Sequence, residues 1–233
     1  MDAARLGQRW GFGAFLVVEA VYLLSAAGLV LAFGGQEPLP VSFVIAIVAV
    51  PTLLAAALAV LLTRLRGNGP RRDLKLQWSW RAVGLGLAFG FGGLFVTLPA
   101  SLLWVSVVGD DANSAAGAVF GEVRGTWAWA LAVFVVVAVV APFCEEIVYR
   151  GLLWGAVDRR WGPWPAMVVT TIVLAVAHLE WTRIPLLLVV AIPIGLARLF
   201  AANLTASIVA HQVTNLLPAA VMALTVAGAL PAG

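Results

Sequence analysis

The chain has 233 residues, of which 63% are hydrophobic and only 11% charged, with a formal net charge of +3 and a mean hydropathy of +1.03. A soluble domain of this length carries about 25% charged residues, so a water-soluble globular enzyme is excluded from the outset. The single cysteine, Cys144, excludes an intrachain disulfide and a cysteine metal cluster.

Apolar runs recur at 10–33, 41–63, 82–106, 127–157, 165–179, 184–200 and 205–231. A membrane-spanning helix needs about 20 apolar residues, and lipid tolerates only backbone that closes its own hydrogen bonds. The pattern predicts an all-α fold: a polytopic transmembrane helical bundle, one membrane domain over 1–233, with seven spans. An eighth would arise if the first, third or last long run were broken. The first run follows Arg5 and Arg9, is too long for a signal-peptide core, and reads as a retained helix. Its Glu19 is a lone intramembrane acid, expected to make an interhelical hydrogen bond or to sit at the interface.

Residues 64–81 form the longest polar connection, marked by Arg66-Gly-Asn-Gly-Pro-Arg-Arg. It ends in Trp78, Trp80 and Arg81, an interfacial anchor. Trp127 and Trp129 are expected at the outer end of the fourth span, and Trp161 and Trp164 at the next inner turn. With the N-terminus inside, the inner segments hold Arg5, Arg9, Arg64, Arg66, Arg71, Arg72, Lys75, Arg81, Arg159, Arg160 and Arg198. The outer loops hold Arg124 and Arg183, with Asp110, Asp111 and Glu122. This asymmetry is the positive-inside signal of a multi-pass plasma-membrane protein. The lipid bilayer is therefore the expected partner of the basic residues, and nucleic acid is not, because no fold presents them together. Thirteen of the fourteen basic residues are arginine, which with abundant Ala, Val and Gly points to a bacterial chain.

The fourth run carries Glu145, Glu146 and Arg150; His178 ends the fifth, and His211 and Asn215 lie in the last. A charged residue within a spanning helix costs roughly 2.5–3.5 kcal/mol on insertion scales, so such clusters mark sites. Glu146 and Arg150 are four residues apart, share a helix face and are expected to pair. Glu145 is turned by about 100° and is left free. Glu145 lies 16 residues before residue 161 and His178 17 after it. Both are thus about 25 Å from the same turn, at matching depth on neighbouring helices. His211 lies only about 14 Å from its own inner turn, near residue 202, a mismatch of about 10 Å. A 158–164 hairpin protruding past the bilayer would absorb it.

Glu, two His and Asn in a sparsely charged pocket suit peptide hydrolysis by activated water. Glu145 would take the proton from water and return it to the leaving amine, with His178 orienting that water. His211 and Asn215 would supply donors to the oxygen of the tetrahedral intermediate. A polar cavity open to the inner side would supply the water. No cofactor is favoured. The competing arrangement is zinc held by Glu145, His178 and His211. Ser207, four residues before His211, is a weaker nucleophile candidate that leaves Glu145 without a role, and Cys144 reads as a small buried hydrophobe.

Glu145-Glu146-Ile147-Val148-Tyr149-Arg150-Gly151 resembles the EExxxR motif of the CPBP family, the CAAX-type and bacteriocin-processing intramembrane proteases. Leu174-x-x-x-His178 resembles the family's FxxxH, with Leu where Phe is usual, and His211-x-x-x-Asn215 its HxxxN. The resemblance covers a catalytic core over 127–218, preceded by N-terminal transmembrane helices over 1–126. It implies Glu145 with His178 as the base, His211 with Asn215 around the oxyanion, and Glu146 and Arg150 as supporting residues. The substrate it implies is a membrane-associated peptide or protein, with no prenyl group assumed in bacteria. Two other classes compete: a non-catalytic immunity or scaffold protein, and a proton-coupled transporter. No matching pair of broken helices supports the transporter, and no motif residue is lost as in a pseudoenzyme.

Overall fold

The apolar runs close their hydrogen bonds as helices, because lipid offers no other partner for backbone N–H and C=O groups. The computed structural model describes residues 9–33, 35 and 39–230, without the side chains of Asp110 and Asp111. Arg5 lies outside the described residues. The helices are α1 (Phe12–Phe33), α2 (Val41–Arg66), α3 (Trp80–Val108) and the short α4 (Ala115–Glu122). They are followed by α5 (Trp127–Trp161), α6 (Pro163–Ala177), α7 (Ile184–Ala201) and α8 (Leu204–Val226). No strand occurs among the described residues.

Six helices, α1, α2, α3, α5, α7 and α8, are long and apolar enough to cross a membrane. The expected seventh span, at 165–179, forms only the 15-residue α6. At 1.5 Å per residue α6 is about 22 Å long, short of a 30 Å hydrocarbon core. Gly162 at φ +88 starts it and the turn after Ala177 stops it. The long first, third and last runs each stay one helix, even though Pro99 lies inside α3 and Pro218 inside α8. Side chains cap three starts: Ser79 receives Ala82 N–H, Ser114 receives Gly117 N–H, and Asn203 receives Thr205 N–H.

α5 is not a regular helix. Two π segments, Val136–Val140 and Ile147–Leu153, bracket a short α stretch, Ala141–Glu146. Pro142 lacks an N–H and crowds the carbonyl one turn back, which favours a widened turn there. α8 uses the carbonyls of that turn: Gln212 Nε2 donates to Val139 O at 3.3 Å and Asn215 Nδ2 to Val137 O at 3.1 Å.

Small residues let α3 lie close on α7 and α8. A Cβ at Gly86 would come within 2.6 Å of Ala206 O, one at Gly90 within 2.8 Å of Val213 Cβ, and one at Gly93 within 2.8 Å of Pro193 Cβ. With no hydrophobic drive between helices in lipid, such close backbone approach is what holds them together. Trp78, Trp80, Trp127, Trp129, Trp161 and Trp164 are all exposed, consistent with interfacial belts.

The end of the bundle that carries the basic loops is tied shut. Trp10 Nε1 donates to Asp73 Oδ2 at 2.9 Å, and Arg159 Nη2 donates to Trp10 O at 2.6 Å. Leu204 N donates to Lys75 O at 3.0 Å, and Thr205 Oγ1 to Gln77 O at 2.8 Å. Arg198, expected among the loop charges, is instead only 5% exposed. It lies over Trp154 at 4.9 Å and donates to Arg150 O at 3.2 Å. At the opposite end Ala115 N donates to Glu180, which is ion-paired with Arg183.

Gly90→Ala is expected to force α3 off α8 and lower stability by about 1–3 kcal/mol, as overpacking does. Gly84→Ala, at a helix position with nothing within 4 Å of the added carbon, should be neutral. Thermal unfolding of both variants in detergent checks this, and equal melting temperatures would mean that α3 does not depend on the close contact.

Candidate active site

Within Ala141–Glu146, successive residues leave the helix about 100° apart, so the two glutamates enter different surroundings. Glu146 is fully buried, with Oε1 3.2 Å from Nη1 of the equally buried Arg150. Arg150 Nη2 donates to Ala191 O on α7 at 3.4 Å. Two charges become tolerable in such a place only by neutralising each other. Neither residue lines the large cavity described below.

His211 lies against both glutamates. Its Nδ1 is 3.0 Å from Glu146 Oε1 and its Nε2 is 3.8 Å from Glu145 Oε2. An ionised carboxylate only accepts, so Nδ1 carries the proton of the shorter contact and Nε2 is the nitrogen presented to Glu145. This contact also closes the roughly 10 Å depth offset anticipated between α8 and α5. The start of α8 is held against Lys75 and Gln77.

Glu145 keeps 23% of its side chain exposed, and it faces a cavity of about 1130 Å³ that His178, His211 and Asn215 also line. Asn215 spends one amide hydrogen on Val137 O and keeps the other. His178 Nδ1 lies 2.8 Å from Leu174 O. A carbonyl only accepts, so Nδ1 donates and Nε2 of the neutral ring is left as an acceptor. His178 is exposed near the mouth of the cavity and is bonded to its own helix. Among the described residues no three His, Cys, Asp or Glu side chains come close enough to hold a metal ion. As placed, Glu145, His178 and His211 are therefore not a three-ligand set. Ser207 is fully buried and donates to Leu204 O, and Cys144 is 2% exposed.

The cavity reaches the surface between residues 112–124 and 177–183, at the end of the bundle away from the basic loops. The closed end is sealed by the Trp10–Asp73–Arg159 and Lys75–Leu204 contacts.

Glu19 also lines the cavity, where Tyr149 is a neighbour on the wall. Glu19, expected in an interhelical contact or at the interface, belongs to the cavity wall. Tyr149 was not singled out, since nothing in an apolar helix distinguishes a tyrosine that meets a distant acid. Arg198 was missed for a similar reason: a basic residue near a helix end reads as a loop charge.

Residues 127–217, from the start of α5 into α8, match the family model described as type II CAAX prenyl endopeptidase Rce1-like. The match is consistent with a CPBP-family protease, and with six apolar helices it supports a multi-pass intramembrane protease. Comparison with curated proteins and with solved structures returned no match.

Arg150→Ala is expected to lower stability by about 3–5 kcal/mol, because it strands the buried Glu146 charge. Arg150→Ala combined with Glu146→Gln should recover part of that loss. Folded yield and thermal unfolding in detergent read the effect, and a drop below about 1 kcal/mol, as for an exposed pair, would show that water reaches the pair.

Proposed function

We propose that this chain is an endopeptidase of the bacterial plasma membrane, N-terminus inside, in which Glu145 activates water to hydrolyse a peptide bond. The observation that carries the reading is the disposition of the two glutamates around His211. Glu146 is locked to Arg150 and to Nδ1, whereas Glu145 faces both Nε2 and the cavity.

The chemistry runs in two proton transfers. Glu145 takes a proton as the water oxygen bonds to the carbonyl carbon, and Nε2 of His178, free to accept, orients that water. The tetrahedral oxygen receives the second amide hydrogen of Asn215 and, when the ring is protonated, Nε2–H of His211. A preorganised donor of this kind is worth roughly 3–4 kcal/mol. Glu145 then returns its proton to the departing nitrogen as the C–N bond breaks. Glu146 and Arg150 position His211 and do not touch the substrate. The substrate is a membrane-associated peptide or protein, no nucleic acid is involved, and no cofactor is required.

Glu145→Gln should abolish cleavage while preserving the fold, because the amide is nearly isosteric but cannot accept the proton. The expected loss is at least about 100-fold, the lower range of general acid–base catalysis. Mass spectrometry of membranes from wild-type and variant cells would identify peptides whose cut disappears. With such a peptide as substrate, purified enzyme should stay active after exhaustive chelation. Inactivation by chelator and restoration by zinc would replace the metal-free mechanism with a metal one.

A further inference from the structure

The cavity is strongly one-sided. Its deepest lining on α8 is His211, seven residues after Leu204 and so about 10 Å from the closed end. On α5 the lining stops at Tyr149, 12 residues, about 18 Å, short of Trp161. In the other direction it follows α8 through Val221 to Thr225 and ends among Ser114, Gly121 and Leu179. Glu145 and His211 therefore sit towards the floor of a well whose mouth, beside His178, is at one end of the bundle. Charge is equally one-sided. Arg64, Arg66, Arg71, Arg72, Arg159 and Arg160 all lie at the closed end. The mouth holds Arg124, bonded to the carbonyls of Gly121 and Val123, and Arg183, paired with Glu180.

We infer that the well opens on the outer face of the membrane, and that its substrate is an extended, largely apolar segment of polypeptide presented from the extracytoplasmic side. Basic residues cluster on the cytoplasmic side of membrane proteins, which places the sealed, arginine-rich end inside and the mouth outside. From His211 to Val226 the floor lies about 22 Å below the outer end of α8. An extended chain advances about 3.3 Å per residue, so six or seven residues must be fed in before a bond reaches Glu145. A folded domain cannot supply that reach; a tail or an unfolded loop can. The volume of about 1130 Å³ lies above the roughly 300–1,000 Å³ of small-molecule sites, as a peptide segment requires. Walls such as Leu94, Leu98, Leu187 and Val190 favour apolar side chains over charged ones. This substrate class rests on the endopeptidase reading; the direction of opening does not.

Single cysteines at Leu179 (at the mouth), Thr214 (on the α8 wall one turn above His211) and Arg71 (at the closed end) test the inference in a Cys144→Ala background. Spheroplasts are treated with a membrane-impermeant maleimide before and after permeabilisation, and labelling is read as a mass shift. Leu179→Cys and Thr214→Cys should label in intact spheroplasts, and Arg71→Cys only after permeabilisation. The reverse pattern would overturn the outward opening, as would a Thr214→Cys that never labels. In the same membranes, peptides whose cut is lost in Glu145→Gln should map to extracytoplasmic segments. Lost cuts confined to cytoplasmic segments would overturn the substrate class. Outward labelling with no cut lost anywhere would remove the endopeptidase reading and its substrate while leaving the direction of opening intact.

Discussion

The buried chain Arg150–Glu146–His211 is the interaction on which the rest of the structure depends. Two charged side chains with no exposure must find each other, because an unpaired ion in that environment would shift the whole fold by several kcal/mol. Satisfying them draws in three helices. Glu146 and Arg150 come from α5, the carbonyl of Ala191 from α7, and His211 from α8. Arg198 then closes on the carbonyl of Arg150. The axial position of α8 is thus set by a polar contact, where apolar packing alone would allow it to slide.

Two local devices make room for that arrangement. The π segments of α5 widen the helix on either side of the glutamates, and carbonyls of the first are taken up by Gln212 and Asn215. The glycine row of α3 brings α8 in close from the other side, holding His211 against α5. One helix is loosened and another is thinned, and both changes serve the same juncture.

Much of this was legible from residue types and spacing. The bundle follows from long apolar runs, and the Glu146–Arg150 contact from i,i+4 geometry. What escaped has physical reasons. Apolarity measures a run's fitness for lipid and says little about its length as a helix, so α6 looked like a seventh span until Gly162 and the turn at His178 cut it to 15 residues. Ideal helix rise ignores π turns, so depth along α5 was only approximate. A glycine's value as a contact depends on what lies opposite it, and Gly86, Gly90 and Gly93 gave no hint of Val209, Val213 and Pro193. The direction of the cavity depends on which helix ends are tied together, and the tie from Trp10 to Asp73 spans 63 residues.

The doubled glutamate itself shows how one short sequence separates structure from chemistry. A carboxylate that must cycle between ionised and protonated forms cannot also be the sole counterion of a buried arginine, since each protonation would leave that arginine unpaired. Glu146 is in that position, with no exposure and with both Arg150 and His211 on it. Glu145 has no arginine partner, keeps 23% of its side chain exposed, and stands 3.8 Å from the nitrogen that Glu146 has fixed in place. Because neighbouring residues of an α-helix diverge by about 100°, adjacency in sequence puts one carboxylate in the core and the other in the cavity. The π segments begin on either side of this stretch and leave that divergence intact. A proton could therefore come and go at Glu145 without disturbing the ion pair that holds its neighbour, and that separation is the physical condition for the base that Glu145 is proposed to be.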